Sequence, residues 1–331
     1  MTKFTLPLAA FATLLLTGTA LAAPDVVAST KPVHALVSAV MGDIGTPALI
    51  VKGAASPHTY SLRPSDAAAL ESADIVFWTG HGMELFLADA LETLSTNAQV
   101  VELAEAPGIA LLPVREGGAF EAHMHEGDDH GHEEDGHDHA DEHGHGEHED
   151  DDHEGHDHAE GDGDMHFWLD PENAKLMVAH IAQTLSAADP GNAAAYAANA
   201  EAEAARLDAL SAELTATLAP VADKPFIVFH DAYQYFENRF GLTVAGTVTV
   251  SPEAMPGAAR IDELRSRVDE LGATCVFAEP NFEPAIVRTI VEGTTAQAGT
   301  LDPEGSALTE GADLYHALLR SLADGLVECL R

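Results

Sequence analysis

Short apolar runs alternate with segments of helical period near the start and again near the end of the chain. In the first half, "DVVAST" is a β-rich run, residues 32–41 carry helical periodicity, and "ALIVKG" is a second apolar run. "SPHTYSLRPSD" then reads as a loop ending in a helix start, and "ADIVFWTG" as a third strand closing on glycine. The pattern returns late in the chain, where "PFIVFH", "TVAGTVTV" and "ATCVFAEP" read as strands. They are separated by the helical "AYQYFENRFG", capped by Gly241, and "RIDELRSRVDELG". Strand and helix in alternation predict an α/β fold with parallel sheets flanked by helices, in two similar units.

Residues 192–219 consist mainly of alanine, leucine, glutamate and arginine without internal glycine or proline, and Asp189-Pro190 supplies a start signal. A single helix of that length extends roughly 40 Å. It is either a strut joining two lobes or a long core helix of one domain. Residues 117–164 are different in kind: rich in Gly, His, Asp and Glu, and almost free of apolar side chains. Such a segment buries too little surface to offset its ordering entropy, so it is expected to be a disordered insertion.

Charge sharpens that picture. The 331 residues carry 55 acids against 15 bases, a formal net charge of −40, and twenty of the acids lie between Glu121 and Asp164. The remainder is still strongly acidic, which repels phosphate backbones and anionic lipid and concentrates cations, so nucleic acid is excluded as a partner. At the N-terminus Lys3, the apolar "LPLAAFATLLL" and the small residues "ALA" read as an export signal over residues 1–22, cut before Ala23. No cysteine follows the cut to carry a lipid anchor, and no later apolar stretch reaches the roughly 20 residues of a membrane helix. The expected location is the periplasm. In that oxidising compartment an even count of cysteines, Cys275 and Cys329, favours pairing over two free thiols.

The candidate chemistry is histidine chemistry. Twelve of the 19 histidines fall in the insertion: His123, His125, His130, His132, His137, His139, His143, His145, His148, His153, His156 and His158. Imidazole suits Zn, Cu and Ni, and neighbouring carboxylates add oxygen donors, so the tract reads as a multivalent collector of weakly held ions. A solvated acidic linker needs no imidazole. Outside the tract, His58 follows a predicted strand, His166 lies in "MHFWLDP" where order resumes after the insertion, and His230 ends the strand "PFIVFH", and loops leaving the strands of open α/β sheets converge on ligands. Three neutral imidazoles with one oxygen donor make a tetrahedral zinc shell.

The segments "VVASTKPV", "SPHTYSLRPSD", "HFWLDP", "FHDAYQYF", "CVFAEPNF" and "GTLDPEG", in that order, resemble the zinc-specific solute-binding proteins of ABC transporters, the ZnuA type of the cluster A-I family. The resemblance runs from Val26 to Cys329. It implies two lobes in a C shape joined by one rigid backbone helix, with Cys275 and Cys329 bridged. It also implies a zinc site of His58, His166 and His230, with Asp302 as the carboxylate beside or on the metal. Glutamate in the place of His230 would mark a manganese binder; nitrogen there favours zinc. Some zinc relatives have Glu just before the first ligand histidine, where this chain has Pro57. The fourth ligand is then Asp302, a water or a residue of the tract. The implied partner is the membrane permease of an ABC zinc importer, with other periplasmic zinc-binding proteins as further candidates, and the protein is expected to be monomeric. Residues 23–188 form the first lobe, 189–222 the linking helix and 223–331 the second lobe.

Other residues receive lesser roles. His34 reads as packing, His81 as a residue near the cleft that the family pattern does not require, and His180 and His316 as surface residues. Trp78, Phe167 and Trp168 read as walls that keep the site dry or as plain core. Arg63 is expected to brace its loop by charged hydrogen bonds, and Glu279 to orient a ligand histidine. The rivals to zinc capture are a manganese-binding relative, a zinc hydrolase using Glu279 as general base, and a buffer acting through the tract alone. No H-E-x-x-H spacing or glycine-rich phosphate loop is present.

Overall fold

The structure is a computed structural model and describes residues 23–115, 120, 163–249, 256–282 and 284–331. The expected signal at residues 1–22 and the twelve tract histidines lie outside the described residues.

Two four-stranded parallel sheets are present among the described residues. The first comprises β1 (Val26–Ala28), β2 (Ala48–Leu49), β3 (Ile75–Trp78) and β4 (Gln99–Glu102), in the order β2-β1-β3-β4. The second comprises β5 (Pro225–Val228), β6 (Thr243–Thr247), β7 (Cys275–Ala278) and β8 (Gln297–Thr300), in the same relative order, β6-β5-β7-β8. Parallel neighbours need crossovers, and helices supply them. In the first sheet these are α1 (Lys31–Met41), α2 (Pro64–Ser72) and α3 (Leu85–Leu94). In the second they are α6 (Gln234–Phe240), α7 (Ala258–Leu271) and α8 (Pro284–Val291). α4 (Pro171–Ala188) and α5 (Ala193–Leu218) lead from one sheet to the other, and α9 (Leu314–Leu330) closes the chain.

Each apolar run read from the sequence holds a strand. β4 and β8 escaped that reading because at least half of the residues in each are exposed, so neither stands out as an apolar run. The inner strands β1, β3 and β7 are buried throughout, which is why they are continuously apolar. Alternate residues of β1 and β3 face two different cores. Val26, Ala28, Ile75 and Phe77 join a large cluster shared with α1, α4, α5 and α9. Val27, Val76 and Trp78 join a smaller one with Leu70 and Leu87 on the outer face. The second sheet repeats this, with Ile227 and Val276 packed on Leu264, Val268 and Ile290.

The large cluster runs without a break from Val26 to Leu330 and includes Phe226 and Phe277 of the second sheet. α5 threads it. Tyr196, Leu207, Leu210, Leu214 and Leu218 bury one stripe of its 26 residues against α1, α4 and α9. The helix therefore joins the lobes and is a core helix as well; the two readings of residues 192–219 were not exclusive. Its burial is what makes the connection stiff.

Cys275 in β7 and Cys329 in α9 are bridged across a sequence separation of 54. The bond ties the C-terminal helix to the second sheet. Removing it by replacing both cysteines with alanine is expected to cost on the order of 4 kcal/mol in the loop-entropy model. Urea unfolding of the double variant beside the oxidised parent measures this; equal midpoints would contradict it.

Candidate metal centre

The loop after β2 is folded back by Asp66 at the start of α2. Its Oδ2 accepts from the Tyr60 hydroxyl at 2.7 Å and from the Arg63 amide at 2.9 Å, which fixes the "PHTYSLR" loop that carries His58. Arg63 itself does not brace the loop by charged hydrogen bonds as expected. Its guanidinium lies over the Tyr60 ring, 5.6 Å from the centroid, and the bracing carboxylate is Asp66.

His166 stands where the chain re-enters the described structure. Asp164 pairs antiparallel with Leu112, and its Oδ1 accepts from the His166 amide at 3.0 Å and lies 2.8 Å from the His166 Nδ1. The next residues form a 3-10 turn, Phe167–Leu169, with Phe167 and Trp168 fully buried. The Trp168 ring is 5.2 Å from that of His166, and its Nε1 donates to the Pro303 carbonyl at 3.1 Å. His230 directly follows the β5 run, and its Nδ1 lies 2.7 Å from Oε1 of Glu279, which follows β7. Glu279 thus orients a histidine, as expected.

The ligand atoms of His58, His166 and His230 all lie within 4.8 Å of one another. Both His166 and His230 present Nδ1 to a buried carboxylate, which accepts a hydrogen bond from Nδ1–H, keeps the ring proton there and leaves the Nε2 lone pair outward. These two Nε2 atoms face each other at 3.3 Å. Two lone pairs so placed repel unless a cation lies between them. Zinc–nitrogen bonds of about 2.0–2.1 Å at the tetrahedral angle put neighbouring nitrogens about 3.3 Å apart, so the spacing suits a shared Zn²⁺.

Electrostatics divide the three. Burial, and then the charge that His230 and His166 would add beside it, hold the His58 imidazole well below its ordinary value. Burial pulls His230 the same way, but the Glu279 carboxylate outweighs it and the net shift is upward. His58 therefore stays neutral to lower pH than His230, where protons compete with a metal at higher pH.

Asp302 is not among the converging atoms. Its oxygens accept from the Glu304 amide at 3.1 Å, the Ser306 amide at 2.6 Å and the Ser306 hydroxyl at 3.1 Å, turning its own loop after β8. His81 lies outside the cluster, with an exposed ring whose Nδ1 is 3.0 Å from Oε2 of Glu102. Trp78 packs in the outer core of the first sheet and against His81 at 4.7 Å, so it is core and not a wall of the site. The wall missed by the sequence is Phe282, 6.4 Å from the His230 ring and stacked on Phe229. His34 is buried in α1, with Nε2 3.1 Å from the Pro47 carbonyl. His316 is not a surface residue: it is buried, its Nε2 2.6 Å from Glu203 Oε1 of α5. His180 is half-buried. Asp164 was assigned with the tract, and its signal was a carboxylate two residues before a ligand histidine.

With this geometry in hand, comparison with known proteins is direct. Residues 26–329 match the family described as zinc-uptake complex component A, periplasmic. The chain is 53% identical over 305 residues to the high-affinity zinc uptake system protein ZnuA of Brucella abortus, covering 92% of this chain and 91% of that one. A crystal structure of ZnuA superposes with a TM-score of 0.69 at 25% identity, over 93% of this chain and 100% of that chain. The laminin-binding protein of Streptococcus agalactiae, described as an adhesin with metal transporting activity, gives 0.70 at 26% identity over the same shares.

Proposed function

This chain belongs to the family of periplasmic zinc-uptake component A proteins, and from that premise we propose that it captures Zn²⁺ between its two sheets and hands it to a membrane permease. The observation that carries this reading is the pair of Nε2 atoms of His166 and His230, 3.3 Å apart, each backed by a carboxylate on Nδ1, with His58 beside them. Three imidazole nitrogens favour zinc over manganese, which prefers carboxylate and water. We assign the fourth place to a water, because the Asp302 oxygens are engaged within their own loop. The family is one of solute-binding components and not of enzymes. Consistent with that, Glu279, the one general base offered for a hydrolase, is committed to His230.

The reading extends to the rest of the chain. Residues 1–22 direct export and are removed, residues 23–188 and 223–331 act as lobes about a linker of 189–222, and the mature protein works as an unanchored monomer. No helix among the described residues is long and apolar enough to cross a membrane. The tract histidines collect ions weakly, and the cleft selects zinc. Titration calorimetry of the full chain tests the division: one tight equivalent followed by several weak ones is expected, and the absence of a tight zinc equivalent would overturn the reading.

Acid sensitivity follows from His230. All three imidazoles must be neutral to ligate, and the His230 pKa is raised above its ordinary value of about 6.5. As pH falls, zinc affinity is expected to begin dropping while pH is still above about 6.5, approaching tenfold per pH unit once one proton is displaced per ion bound. Glu279→Gln removes the charge that raises His230, so the onset moves to lower pH. Competition against a zinc chelator across this range measures both, and a flat profile would contradict the assignment.

A further inference from the structure

The two ends of the described chain that flank the tract are fastened to the opposite lobe. Leu112 and Asp164 bridge to each other, and the Tyr235 hydroxyl of α6 ties the pair, accepting from the Leu112 amide at 2.8 Å and donating to the Asp164 carbonyl at 2.7 Å. Gln234 adds donations to the Pro113 carbonyl at 3.1 Å and to Asp164 Oδ2 at 3.2 Å. Arg115 completes the attachment. Its guanidinium grips Asp231 through two nitrogens, with Nε to Oδ2 at 2.9 Å, and also contacts Glu237.

Asp231 is the residue after His230. A bidentate guanidinium–carboxylate pair has fixed direction as well as charge, and this one is largely buried, with side-chain exposures of 21% and 14%. Asp231 shares a peptide bond with His230 and the turn is short, the Ala232 amide donating to the His230 carbonyl at 2.9 Å, so holding the Asp231 side chain restrains the backbone that carries the His230 ring. Lobe motion that pulled residues 111–115 away from α6 would break these contacts together.

We infer that Arg115 is a positioning residue for metal binding, the buckle of a strap made of residues 111–115 and 163–165 that crosses from the first sheet to α6 and holds His230 in its ligating position. This rests on the zinc reading above for its consequence but not for its geometry. The Arg115–Asp231 pair stands outside the ligand set and acts through the turn it anchors. Zinc release should therefore be governed partly by residues that never touch the ion.

The test uses the full chain with Arg115→Ala, Arg115→Lys, Asp231→Ala and the Arg115→Ala/Asp231→Ala double variant. Zinc release is followed by stopped-flow against excess chelator, and site geometry by the visible spectrum of the Co²⁺-loaded protein. Arg115→Ala is expected to release zinc about 10-fold or more faster, within the roughly 10–100-fold range seen when outer partners of metal ligands are removed. Its Co²⁺ spectrum should be altered too. Lys keeps the charge without the fork and should recover part of the effect. The double variant should be no faster than the faster single one, since both act through one contact. In the metal-free protein, amide exchange across residues 230–233 should quicken in Arg115→Ala. Wild-type release with an unchanged spectrum, or additive effects of the two alanines, would overturn the proposal. So would unchanged exchange at 230–233, which decides the strap even if the parent chain bound no zinc tightly. Asp231→Ala provides the same readings should Arg115→Ala fail to fold.

Discussion

Replacing His230 by alanine is expected to abolish tight zinc binding while the protein still folds. The side chain is buried two residues beyond β5, and it contributes one of three nitrogens that converge within 4.8 Å. With two imidazoles left, the loss should exceed the roughly 10–100-fold that follows removal of an outer partner. Folding should suffer less. The change strands Glu279 without its 2.7 Å partner, which costs about 1–3 kcal/mol when a buried acceptor is left unsatisfied. His58→Ala provides a second test: His58 is less buried than His230, so its truncation should disturb the core less. His166→Ala should also lose the tight equivalent. Calorimetry with zinc, alongside far-ultraviolet circular dichroism of the apo variants, checks both halves; tight binding retained in all three variants would refute the site.

How these residues meet explains what the sequence discloses and what it withholds. His58, His166 and His230 have no local spacing that suggests a metal site, and taken singly each is an ordinary histidine. What singles them out is the position of His58 and His230 after strands and of His166 where the tract ends, together with the order of motifs around them. The buried strands announce themselves because both faces need apolar side chains, whereas β4 and β8, with at least half of their residues exposed, do not. The partners of the ligands are harder. Glu279 is legible, because it follows a strand as His230 does. Asp164 is not, since it ends a run of acids and looks like one more of them until its bridge to Leu112 turns it inward. Arg115 and Asp231 lie 116 residues apart, and only the approach of residues 111–115 to α6 pairs them. His316 misled for a related reason: a helical run gives its period but not the carboxylate on a neighbouring helix, and Glu203 on α5 is what permits its burial.

That placement of Asp164 changes what a deletion of the histidine-rich tract should do. Excising residues 121–162 removes all twelve tract histidines and leaves Gly163 and Asp164 to close the bridge to Leu112. The weak equivalents should vanish, and one tight zinc equivalent should remain. Excision of residues 121–164 takes away only two residues more, yet it removes the carboxylate 2.8 Å from the His166 Nδ1 and the carbonyl that accepts from Tyr235. Without that carboxylate the His166 proton is no longer held on Nδ1, so the ring loses both its preferred tautomer and its orientation toward the metal. The tight equivalent should then weaken by about 10–100-fold, the usual consequence of losing such a partner. Asp164→Asn in the full chain separates orientation from loop length: its amide oxygen still accepts from Nδ1 but carries no charge, so the loss should be smaller than for the longer excision. Calorimetric stoichiometry and chelator competition on the three proteins measure these steps. Equal tight affinity in both excisions would show that Asp164 does not support His166, and loss of the tight equivalent on excising 121–162 alone would place the missing ligand in the tract.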